Sequence, residues 1–215
     1  MGIAQQDIAD HSRQAIEQGS RSFALASLLF KPAMQQDAHM LYAWCRHCDD
    51  VIDGQNLGFF EGDPATQNDT PAAMQRRLAG LRELTIAAMD GAEMTDPVFA
   101  AFQRVVLPHA MPRRHPLDLL KGFEMDATEH EYRSLQDTLD YCYHVAGVVG
   151  VMMAIIMGVA PDDEETLHRA SDLGIAFQLT NIARDIIDDA RIGRIYVPGD
   201  WLRAAGIEAT PAAVL

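Results

Sequence analysis

The sequence predicts an all-α fold, and three observations carry that prediction. Apolar residues recur at helical spacing nearly throughout. No run alternates convincingly as a strand would. Proline, glycine and short polar residues stand where helices would begin and end. Gly19 to Phe30 begins as a turn and continues as helix. Pro32 suits the first turn of a helix running to Asp53, with Gly54 as its stop. Residues 54–70 are rich in Gly, Asn, Asp and Gln and read as a loop. Thr70-Pro71 opens a helix to about Met89, and Asp96-Pro97 opens another to about His109. Pro112 to Pro116 breaks the chain, and a short helix carries residues 117–128. Ser134 caps a long helix through Met157. Pro161 to Glu165 starts the last long helix, with acid in its first turn where the dipole favours it. That helix runs to about Ala190 and stops near Gly193. Thr210-Pro211 opens one more helix where the sequence ends. The expectation is one all-α domain over residues 1–215, incomplete at its C-terminus.

Composition narrows the partners. The 215 residues are 48% hydrophobic, enough for a sizeable core. Net charge is −14, from 31 acidic against 17 basic residues. Nucleic acid and anionic membranes need a positive footprint, so neither is expected as a main partner. A local basic pocket for phosphate remains compatible. Three cysteines and no secretory h-region suit a reduced, cytoplasmic protein. Cys45-x-x-Cys48 lacks a second pair of ligands and reads as two small helix residues. Val145 to Ala160 is a sixteen-residue run without charge. A membrane span needs about twenty residues, so a buried helix is expected.

Two segments stand out: RHCDDVIDG at 46–54 and NIARDIIDD at 181–189. Each places three aspartates within five positions. At about 100° per residue, Tyr42, Arg46, Asp49 and Asp53 share one helix face. Gly174, Gln178, Asn181, Asp185 and Asp189 share another, and Asp50 and Asp188 sit at the edges. Leu41, Trp44, Val51 and Ile52 surround the first seam, and Ile175, Leu179, Ile182 and Ile186 the second. Both helices are therefore expected to be buried on most sides, with the acids facing a cavity. Like charges about 6 Å apart repel by about 3 kcal/mol at an effective dielectric near 20. Clustering them twice makes sense if a cation neutralises them. The ligand set is all oxygen, which suits Mg²⁺, with Mn²⁺ as the alternative ion.

Basic residues lie among these acids: Arg46, Arg184, Arg191, Arg194 and Ser20-Arg21-Ser22. For Arg46 the competing reading is a local salt bridge to Asp49 or Asp50. Acids that hold Mg²⁺ beside arginines that bind phosphate suit a diphosphate substrate. Tyr141, Val145 and Val149 step by four along the apolar helix. Gly147 and Gly150 there either allow close helix contact or leave a groove. The stripe is ordinary core or the wall of a slot for a long hydrocarbon.

DDVID (49–53), YCYHVAGVVG (141–150), AFQLTNIARDIIDD (176–189) and GRIYVP (193–198) resemble the squalene and phytoene synthase family. The resemblance covers about Gly19 to Trp201, and LYAWCRHCDDVID is especially similar to the bacterial phytoene synthases. It implies an isoprenoid synthase helical bundle around a central cavity, with the family's last helices missing. It implies head-to-head condensation of two geranylgeranyl diphosphates through prephytoene diphosphate to 15-cis-phytoene. By the same resemblance Asp49, Asp53, Asp185 and Asp189, with Asn181, hold Mg²⁺ and diphosphate. Gln178 also lies beside the second motif. Ser20, Arg21, Ser22, Tyr42, Arg46 and Arg184 match diphosphate contacts. Tyr141 matches an active-site tyrosine, and Phe23, Val145 and Val149 match the wall of the prenyl pocket. No NADPH is expected. The insoluble product makes peripheral membrane association an accompanying expectation. The alternatives are a C15-specific dehydrosqualene or squalene synthase, a non-catalytic prenyl-binding or helical assembly protein, and a terpene cyclase.

Overall fold

The computed structural model describes residues 5–53, 55–56, 59–60, 70–128 and 130–215. Helix α1 spans Gln5–Gly19, α2 Arg21–Ser27 and α3 Pro32–Asp53. A short antiparallel pair, β1 (Gln55–Asn56) and β2 (Phe59–Phe60), follows. Then come α4 (Pro71–Met89), α5 (Pro97–Val106), α6 (Arg114–Ala127) and α7 (Leu135–Cys142). A π-helical turn, Tyr143–Gly147, joins α7 to α8 (Val148–Ile156). The described chain continues with α9 (Glu164–Arg191), α10 (Gly199–Ala204) and α11 (Pro211–Val214).

The helix starts follow from capping chemistry. The Ser20 and Thr70 hydroxyls accept from the backbone N–H groups of Phe23 and Ala73. Asp96 accepts from Val98 and Phe99, and Asp163 from Thr166. Ser134 and Asp137 form a reciprocal capping box at the start of α7. Each satisfies donors that the first helical turn leaves without partners.

Four expectations are corrected. Helix α5 ends at Val106, short of His109, because Pro108 has no N–H to continue the ladder. Ala110 then takes a positive φ of 47° in the turn that follows. Helix α6 begins at Arg114, because Pro116 is tolerated in a first turn whose N–H groups lack helical partners anyway. Within the stretch read as a loop, Gln55 pairs with Phe60 and Asn56 with Phe59. Two residues per strand are too few to show alternation. The long helix ending at Met157 is interrupted by the π turn, which adds a residue to the local repeat. Gly54 lies outside the described residues.

The main core is built from α3, α5, α6 and α8. Trp44, Phe99, Phe102, Leu119, Leu120 and Met152 are fully buried. The Trp44 and Phe102 rings stack with centroids 4.1 Å apart. A second apolar cluster joins Tyr132, Tyr141, Cys142, Ile182 and Tyr196. Helix α8 touches both α3 and α9. Small residues bring α8 and α9 together: a Cβ on Gly150 would lie 2.3 Å from the Ala170 carbonyl oxygen. Gly147 likewise faces Ser171 and Ile175 of α9, so close contact, and not a groove, explains these glycines.

The stretch Leu135–Ile156 is long and apolar enough to cross a membrane, yet 56% of its most apolar window is buried in the fold. Burial on most sides holds for α3, whose Leu41, Trp44 and Ile52 are buried. It does not hold for α9. Leu173, Phe177 and Ile187 of that helix are exposed, because its packing against α8 and the π turn covers only one side.

Candidate active site

The residues singled out by sequence fall into three groups. The first forms where α2 meets α3. The chain enters α2 through Ser20, whose hydroxyl lies 3.3 Å from that of Ser22. Phe23 projects from α2 and meets Tyr42 of α3 edge-on, with centroids 6.3 Å apart, and stays more than half exposed. The Arg46 guanidinium sits 6.0 Å from the Tyr42 ring centroid. A Cβ on Gly19 would lie 2.5 Å from the Tyr42 hydroxyl, so glycine lets α1 end against that ring. Arg46 donates to Asp49 at 2.6 Å, one turn further along α3. The local ion pair is therefore present, and the same guanidinium also borders a polar cleft with His11, Gln14, Gln18, His47 and Asp50. Arg21 is exposed, and Asp50 is buried. Asp53 ends α3, and its side chain lies outside the described residues.

The second group lies on α9. Asn181 donates to Gln178 at 3.3 Å. Arg184 grips Asp185 with two hydrogen bonds, at 2.7 and 2.5 Å. That fork holds the Asp185 carboxyl below the usual carboxylate range. Asp189, one turn on, behaves in the opposite way. Burial first, and then the charge of Asp185, push it up to about 6. Asp188 faces outward and pairs with Arg191 at 2.7 Å.

The third group surrounds Tyr141. Its hydroxyl donates to Asp126 of α6 at 3.0 Å, and Tyr196 donates to the other oxygen of the same carboxylate at 2.8 Å. The two rings stack with centroids 4.7 Å apart. Val145 packs against this cluster, whereas Val149 packs against the main core. The single stripe expected for Tyr141, Val145 and Val149 is thus divided, because the π turn breaks the four-residue step. Asp126 and Tyr196 were not singled out from sequence. Tyr196 lies in the GRIYVP segment, which marked the region without marking the ring. Nothing local flags Asp126, since its partners lie 15 and 70 residues away.

A divalent cation fits the chemistry of these donors. They are carboxylates and amides only, and Asp189 is an acid whose ionisation is suppressed first by burial and then by the neighbouring Asp185. Among the described residues no three His, Cys, Asp or Glu side chains converge to hold an ion. Mg²⁺ commonly takes only one or two carboxylates and completes its shell with water and phosphate oxygens. The cysteines are a different matter. Cys45, Cys48 and Cys142 are free, and burial pushes the Cys45 thiol up to about 12, so Cys45 and Cys48 serve as packing.

The sequence matches the squalene/phytoene synthase family over residues 16–213. It is 56% identical over 205 residues to the phytoene synthase of Pseudescherichia vulneris, covering 95% of this chain and 64% of that protein. It is 56% identical over 200 residues to the 15-cis-phytoene synthase of Paracoccus sp. (strain N81106 / MBIC 01143), covering 93% and 63%. The chain therefore spans somewhat less than two thirds of the length of these relatives. The fold is similar to that of a dehydrosqualene synthase solved with a ligand, with TM-score 0.77, 29% identity, and coverage of 94% and 64%. It is also similar to the squalene synthase HpnC from Alicyclobacillus acidocaldarius, with TM-score 0.79, 27% identity, and coverage of 97% and 72%. An all-α isoprenoid synthase architecture and a match to four fifths or more of the sequence lead to one conclusion: the chain belongs to the squalene/phytoene synthase family.

Proposed function

We propose that this chain carries the motifs of a prenyltransferase that joins two geranylgeranyl diphosphates head to head. The product is 15-cis-phytoene, formed through prephytoene diphosphate. The observation that carries the reading is 53–56% identity to bacterial proteins named phytoene synthase or 15-cis-phytoene synthase. The likeness to the dehydrosqualene synthase is weaker, at 29%, so the C20 substrate is preferred to the C15.

The residues divide the work. Arg46 and Arg184, with Ser20, Arg21, Ser22 and Tyr42, bind and orient the diphosphates as charged and polar donors. Asp49, Asp53, Asn181, Asp185 and Asp189, with Gln178 beside them, would hold Mg²⁺ or Mn²⁺. When bound, that ion supplies positive charge to a departing diphosphate. Phe23 and Val145 offer apolar surface to the prenyl chains, while Val149 packs against the main core instead. Tyr141 presents an aromatic ring to positive charge. No nicotinamide is required, since phytoene formation ends in proton loss. We place the enzyme in the cytoplasm, in peripheral contact with a membrane that receives its hydrocarbon product.

Incubating the protein with the C20 or the C15 diphosphate, with and without NADPH, tests this reading. A C40 hydrocarbon from the C20 substrate without NADPH is expected. Exclusive turnover of the C15 diphosphate overturns it.

A further inference from the structure

We propose that Asp126 is a positioning residue for this reaction: by accepting both the Tyr141 and the Tyr196 hydroxyl protons, it holds Tyr141 with its phenolic oxygen turned into a pure acceptor. The inference rests on the functional reading above and adds to it a residue from α6, outside both acidic segments.

Each oxygen of the Asp126 carboxylate takes one phenol, at 3.0 Å from Tyr141 and 2.8 Å from Tyr196. The rings of those phenols lie 16° from parallel, and Tyr132 meets Tyr141 edge-on at 5.2 Å. Tyr141 and Tyr196 are 5% and 6% exposed. Stacking fixes the plane of the Tyr141 ring, and the carboxylate fixes the torsion of its hydroxyl.

A phenol has one O–H and two lone pairs. With the O–H committed to Asp126, the oxygen has only lone pairs for any other group. Tyr141 so held is no proton donor to a departing diphosphate. It is a neutral acceptor, suited to face positive charge, or to receive the proton lost at the end of the reaction while its own O–H proton passes to the Asp126 carboxylate. Burial and the Asp126 charge both push the Tyr141 pKa well up, which keeps the phenol un-ionised. Three separate segments supply the parts: α6 gives Asp126, α7 gives Tyr141, and the chain after α9 gives Tyr196.

The test uses Asp126→Ala, Asp126→Asn and Asp126→Glu beside Tyr141→Phe, Tyr196→Phe and the double variant Asp126→Ala/Tyr141→Phe. Asp126→Ala is expected to lower kcat on the order of 10- to 100-fold, as loss of an orienting partner does at other sites. KM stays within about threefold, and Asp126→Glu recovers most of the loss. In the Tyr141→Phe background, Asp126→Ala costs less than about threefold more, because its effect runs through that phenol. NMR of tyrosine labelled at Cζ, assigned with the two Phe variants, gives a readout independent of turnover. Asp126→Asn, which keeps the side-chain shape, is expected to move both the Tyr141 and Tyr196 signals. Unchanged kcat in Asp126→Ala, an undiminished effect in the Tyr141→Phe background, or unmoved signals in the folded Asn variant each overturn the proposal. Absence of C20 turnover by the unsubstituted protein overturns the functional reading instead, and the NMR result then decides whether Asp126 orients the two tyrosines.

Discussion

Gly174 of α9 approaches Ala146 of the π turn so closely that a Cβ on the glycine would lie 2.3 Å from the alanine carbonyl oxygen. Gly150 of α8 makes the reciprocal approach to Ala170 of α9. The obstacle in both cases is backbone, so no side-chain rotation relieves it. Gly174→Ala is therefore expected to push the helices apart and cost roughly 1–3 kcal/mol or more, the range for overpacking. Gly80, whose Cβ would meet nothing within 4 Å, serves as the control. Gly80→Ala, at a half-buried position of α4 with open space where the Cβ would go, is expected to be neutral or stabilising. Urea midpoints measured for both variants check the pair, and equal midpoints contradict the packing account.

The acids on α3 and α9 lead to a different expectation. Asp49 and Asp185 are each about one third exposed and pair with Arg46 and Arg184 on their own helices. Neutralising either leaves the core untouched. Asp49→Asn and Asp185→Asn are expected to keep helix content by circular dichroism while turnover falls on the order of 10²- to 10³-fold. Chelation by EDTA is expected to abolish turnover, with Mg²⁺ or Mn²⁺ restoring it. Full activity in either variant would falsify their assignment as diphosphate and metal residues.

How legible all this is in the sequence depends on the range of each interaction. Helices α3 and α4 start where Pro32 and Thr70-Pro71 place them, because proline and an N-cap act within one turn. The two acidic seams are legible for the same reason: their residues share faces of single helices. The π turn has no compositional signature, so the Tyr141–Val145–Val149 stripe is read as continuous when it is split. The Asp126 carboxylate is chosen by tertiary folding, with Tyr196 brought in from 70 residues away. Exposure of Leu173 and Phe177 on α9 is likewise a tertiary fact, invisible to a hydrophobic pattern that predicts a buried face.

A capping box fixes the start of α7, the helix that carries Tyr141. Ser134 accepts from the Asp137 backbone, while the Asp137 carboxylate accepts from the N–H groups of Arg133 and Ser134. Ser134→Ala is expected to cost about 1 kcal/mol. The double variant Ser134→Ala/Asp137→Ala is expected to cost less than the sum of its parts, since one motif supplies both bonds. Denaturant titration of the three variants checks this, and strict additivity contradicts a shared box.

Stability should also fall on the acid side of neutrality, for a reason located in four histidines whose pKa burial lowers, the half-buried His47 and three buried ones. His39, His115 and His144 are buried. Burial is the largest cause of the lowered pKa of each. The His39 ring lies 2.8 Å from the Ser27 hydroxyl, and a His144 ring nitrogen lies 3.0 Å from the Asp118 carbonyl. In the unfolded chain these rings titrate near the ordinary value of about 6.5. Below that pH the unfolded state binds protons that the folded state resists, so stability rises with pH through this window. The contribution is complete above about pH 6.5 and is lost as pH drops through the lowered folded values. Asp189, raised to about 6, takes up a proton in the folded state and contributes with the opposite sign, but the several histidines outweigh this one acid, so urea midpoints are expected to decline between pH 7.5 and pH 5. Replacing His39 by Gln keeps a hydrogen-bonding group for Ser27 and removes one titration, so the decline becomes shallower. A midpoint independent of pH across that interval, or an unaltered slope in the His39→Gln variant, contradicts the linkage.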